Sequence, residues 1–250
     1  MKVIDAFWEK RNLNVDVTEV ELDKRDMLDV HSTISKIAEL RSPGRVIYIK
    51  IPVGNLNLLH ALEDIGFRFL ECQIKVSRSL NDYEPPADLK PLLENTSVQI
   101  IKKDKDGLRL LLEKISPGMF ATDRICLDPL WGGACEEISA TRYKNWITDI
   151  FQDNTTTCYY FLKSSKIVGF GVANQDSDGD VVHGLLGGVL KSEIDPVASV
   201  CFLHAPLLLF KGLKTKFITS ISSNNFAVCR LYIFFGYKIE KMQYVMRCFS

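Results

Sequence analysis

Two stretches of this chain, 170 positions apart, repeat one pattern. Residues 47–77 read IYIKIPVGNLNLLHALEDIGFRFLECQIKVS, and residues 217–247 read FITSISSNNFAVCRLYIFFGYKIEKMQYVMR. Each passes from a β-branched strand to an Asn, an apolar helix, a Gly–aromatic pair and a second strand. Asn55 aligns with Asn225, Leu62 with Tyr232, Gly66 with Gly236 and Phe67 with Tyr237. Asn is a favoured helix N-cap and Gly a usual stop. A duplicated half-domain is therefore expected. Few identities are involved, so chance likeness of two common units is the alternative. The later copy carries a phenol at 232 where the first has Leu62, so chemistry is expected in the second copy.

Between the copies, residues 82–91 hold three of the nine prolines and read as a connection. A short strand is expected at 98–102 and helices at 105–115 and 136–151. Strands at 157–162, 166–174 and 180–190 follow as an antiparallel meander. A helix over 196–212 starts at Pro196 behind an Asp195 N-cap, and Pro206 is expected to kink or restart it. The acidic turn at 176, 178 and 180 reads as a solvated hairpin rather than a calcium loop, because it lacks the following Gly and the terminal Glu.

Net charge is zero, with 31 basic and 31 acidic residues, which argues against nucleic acid as the main partner. The balance is uneven along the chain. Residues 181–250 hold 8 basic and 3 acidic residues, a surplus suited to a polyanionic ligand. Seven cysteines, an odd number without a C-x-x-C, read as free thiols of a reducing compartment, so the cytoplasm is expected. The four histidines show no metal-ligand spacing, and no metal is expected. The most apolar run, residues 200–210, is too short to span a bilayer, and no membrane association is expected.

The segment SNNFAVCRLYIFFGY (223–237) resembles the N-x-x-A-x-x-L-Y-x-x-x-G-F signature of GNAT acyl-CoA N-acetyltransferases. Asn225, Leu231, Tyr232 and Gly236 match; Val228 stands where Ala is usual and Tyr237 where Phe is. The element order before it is similar to the GNAT fold over about 98–248. DRICLDP (123–129), followed by ATRYKNWI (140–147), looks like the branch containing TDP-fucosamine acetyltransferase, which also has a partial GNAT-like N-terminal domain. The resemblance implies an α+β GNAT fold, a mixed and mostly antiparallel sheet flanked by helices. It implies a division into a partial GNAT-like domain (1–85), a linker (86–97) and a GNAT domain (98–250).

The implied activity is acetyl transfer from acetyl-CoA to a small-molecule amine, with a nucleotide-linked amino sugar favoured. A degenerate GNAT-fold binding protein, or acetylation of a peptide or protein amine, are the alternatives. A homodimer is an open option. Tyr232 is the expected general acid, since a phenol is suited to protonate a departing thiolate. Asn225 is expected beside the cofactor, as a helix cap, or both. The strand containing Leu186, Gly187, Gly188 and Val189 resembles the fourth GNAT strand, whose backbone meets the pantetheine arm; the glycines permit close approach or mark a bulge. The usual glycine pair of the pyrophosphate loop is missing from 191–199. Helix N-terminal N–H groups at 197–199, with Lys191, are the expected substitute, although Glu193 and Asp195 add negative charge there. His183 is a candidate base or a structural residue. Trp131 and Tyr143 are candidates for a sugar pocket or for the core.

Overall fold

A computed structural model of the chain describes residues 1–175 and 179–250, so two members of the acidic turn, 176 and 178, lie outside the described residues. The first part runs β1 (Lys2–Asp5), α1 (Lys10–Leu13), β2 (Asp16–Glu21), α2 (Val30–Glu39), β3 (Arg45–Pro52), α3 (Leu56–Asp64) and β4 (Arg68–Ser79). A single turn, α4 (Lys90–Leu93), connects it to β5 (Thr96–Ile100), α5 (Lys105–Glu113), α6 (Arg124–Leu127) and α7 (Cys135–Ile150). The meander β6 (Thr156–Lys163), β7 (Lys166–Gln175) and β8 (Val181–Val189) follows. The remainder is α8 (Pro196–Phe210), β9 (Lys216–Ser222), α9 (Phe226–Phe234) and β10 (Lys238–Phe249).

Among the described residues, ten strands join one sheet in the order β1-β2-β3-β10-β4-β9-β8-β7-β6-β5. The two repeat units are interleaved: β10 lies between β3 and β4, and β4 lies between β10 and β9, antiparallel throughout. The registers obey the 170-residue offset. Tyr244 faces Ile51 as Ile74 faces Ile221, and Gln243 faces Pro52 as Gln73 faces Ser222. Gln73 and Gln243, equivalent in the repeat, face each other. An approximate two-fold axis therefore passes between them, and each half of the chain completes the sheet of the other.

Local chemistry follows the same symmetry. Asn55 caps α3 by accepting from the Leu58 N–H at 2.9 Å, and Asn225 caps α9 by accepting from Val228 at 3.3 Å. Gly66 and Gly236 both take positive φ, 93° and 75°, at the helix ends, a conformation that costs a side chain free energy. One face of the N-terminal sheet packs Ile47, Ile49 and Ile51 on Leu58 and Leu62 of α3. The opposite face carries Val17, Val46 and Tyr48 under Ile125 of α6.

That second face is fastened by a buried ion pair. Arg247 of β10 donates to both carboxylate oxygens of Asp128, at 2.6 to 3.1 Å, and Trp131 Nε1 donates to the Tyr48 hydroxyl at 3.1 Å. Trp131 thus serves the core. α8 runs unbroken through Pro206, so the expected restart is absent. The ring removes one backbone hydrogen bond, but the helix buries Val200, Leu203, Leu207 and Phe210 in the C-terminal core, and that packing keeps it continuous.

Because β4 and β10 are shared, calorimetry is expected to show one cooperative unfolding transition; two resolved transitions would contradict the interleaving. Arg247→Met strands the Asp128 carboxylate and is expected to cost about 3–5 kcal/mol in denaturant titration.

Candidate active site

The parallel pair β8·β9 holds register only from Val181–Lys216 to Gly184–Thr219. β8 then continues to Val189 and β9 to Ser222 without pairing to each other. The cause is visible on the other edge of β8. Leu186 faces Val172 and Gly184 faces Ala173, so Leu185 is an extra residue, a bulge that turns β8 away from β9. The backbone edge of β8 beyond Gly184 is left open in a wedge between the two strands.

A cleft of ≈ 1580 Å³ passes through this wedge. Leu186, Gly187, Gly188, Val189, Asn225 and Tyr232 all line it, so six of the seven residues expected to supply the acid or meet the cofactor come together. The glycines are close-packed: a Cβ on Gly187 would lie 2.8 Å from the Phe202 ring, and one on Gly188 would lie 3.3 Å from Met119 Sδ. Asn225 caps its helix and also donates to Thr122 Oγ1 at 3.3 Å. Tyr232 is buried at the wedge, its ring edge-on to Tyr237 at 4.7 Å. Burial holds its phenol protonated far above neutrality, although the Thr219 hydroxyl contact pulls the other way.

Lys191 is the exception. It does not line the cleft; its ammonium lies against Gly118 beside the Glu136 carboxylate. The expected anion site at the start of α8 also differs. Asp195 accepts from the Ala198 N–H at 2.6 Å, and its backbone carbonyl accepts from Ser199 N at 3.1 Å. Lys163 pairs with Asp195 and Lys166 with Glu193. The helix terminus is thus already satisfied by the chain's own carboxylate. Of the eight basic residues in 181–250, only Lys241 lines the cleft, and it is paired with Glu21 at 2.9 Å.

On the face covered by α6 and α7 the cleft widens into a polar chamber over the interleaved strands. Its floor includes Glu19 and Glu21 of β2, Lys50 of β3, Gln243 of β10, and Glu71 and Gln73 of β4. Arg142 and Tyr143 of α7, with Arg124 and Glu9, form its wall. Glu9 is buried; burial pushes its carboxyl up, but Arg142 and Arg124 outweigh it and hold the group below the usual range. Arg124 beside Glu19 lowers that carboxyl too. His183 also lines the cleft, at its β8 side. His204 lies elsewhere, buried and 2.6 Å from the Tyr83 hydroxyl, in a structural role.

Apart from Tyr143, a candidate for a sugar pocket or the core, the charged chamber residues were missed by sequence reasoning. The available signal was a charged residue inside an otherwise apolar strand, Lys50 in RVIYIKI and Glu71 in FRFLECQIKV. No helix of the described residues is long and apolar enough to cross a membrane.

No family model and no curated protein matches the chain. Solved structures do. A GCN5-related glucosamine N-acetyltransferase region of a fungal multi-domain GH3 β-N-acetylglucosaminidase superposes with TM-score 0.60 at 13% identity, over 99% of this chain and 31% of that one. A GCN5-related N-acetyltransferase from Sphaerobacter thermophilus gives 0.57 at 13%, over 87% and 64%. A tandem GNAT protein of the clavulanic acid biosynthesis pathway gives 0.52 at 9%, over 87% and 67%. The fold is the GNAT fold, and the tandem neighbour fits an additional GNAT-like N-terminal part.

Asp195→Asn keeps a capping acceptor while removing charge at the helix start. It is expected to change stability by a few tenths of a kcal/mol in thermal unfolding and to raise affinity for a phosphorylated ligand severalfold in calorimetry. Glu9 and Glu19 have folded values below their unfolded ones, so their stabilisation is present above the unfolded value near 4.5 and is lost as pH falls through the folded values. Acid unfolding of Glu9→Gln is accordingly expected to be shallower than that of the parent protein.

Proposed function

We propose that this protein is an N-acetyltransferase that moves the acetyl group of acetyl-CoA to the amine of a small molecule, with a nucleotide-linked amino sugar as the favoured acceptor. The observation that carries this reading is the bulge-opened wedge between β8 and β9, with Tyr232 buried at it. An extended thioester arm can pair with the open edge of β8, and the acetyl carbonyl can accept a backbone N–H there. Gly187 and Gly188 let Phe202 and Met119 pack against the faces of β8, so the ligand would meet the strand along its open backbone edge. The acceptor enters from the polar chamber on the other side of the sheet. The amino-sugar preference draws on the resemblance of residues 123–129 and 140–147, and on the glucosamine acetyltransferase region among the structural neighbours.

The neutral amine attacks the thioester carbon, forming the C–N bond; the C–S bond then breaks and the thiolate takes the Tyr232 proton. The proton released by the nitrogen restores the phenol. A covalent acyl-enzyme is disfavoured. Burial pushes the Cys201 thiol up to about 11, and also raises Cys229, whose thiol donates to the Ser222 carbonyl at 3.4 Å.

A second reading, a non-catalytic binding protein on this scaffold, draws on the self-capped start of α8. Calorimetry with acetyl-CoA separates the two: saturable heat with a thermal shift supports the transferase, and neither supports the binding protein. In the transferase, Tyr232→Phe is expected to lower kcat about a hundredfold while leaving acetyl-CoA affinity within twofold. Unchanged turnover with saturating amine would remove Tyr232 from the acid role.

A further inference from the structure

The chamber floor contains a charge arrangement that the fold does not use. Most of its charged side chains neutralise one another: Glu9 with Arg142, Glu19 with Arg124, Glu21 with Lys241, and Arg11 with Asp149. Among the described residues, Lys50, Glu71 and Lys75 line the cleft without an ion pair. Lys50 and Glu71 stand in one row. Both face Val245 of β10 across neighbouring strand pairs, so both side chains project from the same face of the sheet. Two strand spacings put their Cα atoms about 10 Å apart. Glu71 is 5% exposed and lies on the wedge side of the row; burial pushes its carboxyl up, and the nearby Ser222 of β9 pulls the other way. Lys50 lies on the far side, opposite Glu21 and near Glu19, whose charges Lys241 and Arg124 already balance.

Leaving a buried carboxylate and a half-buried ammonium separate costs free energy that direct pairing or exposure would avoid. A ligand bearing both charges in the reverse order satisfies both at once. We propose that the acceptor is a dipolar small molecule, an amine that carries its own anionic group, with the ammonium bound by Glu71 nearest the wedge and the anion bound by Lys50. This deepens the transferase reading and rests on it, since it takes the chamber as the acceptor side. Glu71 then acts chemically as well as by binding. The ammonium passes one proton to its carboxylate and becomes the neutral amine that attacks. The glutamic acid so formed returns the proton to solvent after the amide leaves. The site is bipartite, because Glu71 comes from the strand inserted beside β9 and Lys50 from the N-terminal sheet.

The test uses full-length protein and binding read by calorimetry without acetyl-CoA, so that its outcome is independent of turnover. The probes are glucosamine 6-phosphate and 4-aminobutyrate, each an amine with an anion, against glucosamine, an amine alone. The parent protein is expected to bind one anionic probe at least about tenfold more tightly than glucosamine. The better of the two identifies phosphate or carboxylate as the anion. Lys50→Gln is expected to bring that preference within twofold, Lys75→Gln to keep it, and Glu71→Gln to weaken all three amines. Equal affinity for charged and neutral probes, or no binding of any, overturns the proposal. So does loss of preference in Lys75→Gln but not in Lys50→Gln. Failure of acetyl-CoA to bind, with the preference intact, would overturn the transferase reading and leave the dipolar site standing.

Discussion

The antiparallel contact between β4 and β10 is the constraint on which the rest of the structure depends. Each strand belongs by sequence to one repeat and by hydrogen bonding to both. Gln73 facing Gln243 fixes the register of the whole sheet, because a one-residue slip would turn Glu71 toward the apolar side and Ile74 toward the chamber. The Arg247–Asp128 pair fixes the same strand from above, joining β10 to the segment that leads into α7. Stability of the halves and geometry of the chamber are consequently one property.

The interleaving also explains why the cleft has two unlike ends. The wedge end is built from β8, β9, α8 and α9, all in the C-terminal half of the chain, and is rich in apolar side chains and glycine. The chamber end is built on the floor where the copies mix, and holds nearly all the charge. A reaction that joins an apolar thioester arm to a charged acceptor needs such a division. The first copy offers no wedge of its own: the parallel pair β2·β3 is closed along the whole of β2, and Leu62, fully buried in the core, stands where the second copy has its phenol.

Much of this was legible in the sequence. Strand alternation, the two Asn caps and the two Gly stops located both repeat units, and the meander was placed within one or two residues of its observed bounds. The signature around Asn225 and Tyr232 led to the wedge. Interleaving was not legible, because periodicity tells which face a strand buries and says nothing of which neighbour it pairs with. β1 and β2 went unassigned because β2 is covered on both faces, Val17 on one and Val20 on the other, and shows no clean alternation. Lys191 was misplaced by proximity in sequence, and the restart at Pro206 was an overestimate of one lost hydrogen bond. The glycine pair was rightly seen as missing; that Asp195 closes the helix terminus in its stead depends on a rotamer that sequence does not give.

The position of β10 has a consequence for biosynthesis. β3 and β4 emerge from the ribosome about 190 and about 160 residues before the strand that belongs between them. At 5–20 residues per second the delay is roughly ten to thirty seconds. During that interval the nascent chain carries two unfilled strand edges flanking a gap, both bordered by Ile, Val and Phe side chains. An equivalent strand from another chain would fill the gap equally well. Crowded polysomes, rather than heat, are therefore the circumstance in which this architecture is most exposed to pairing with the wrong molecule.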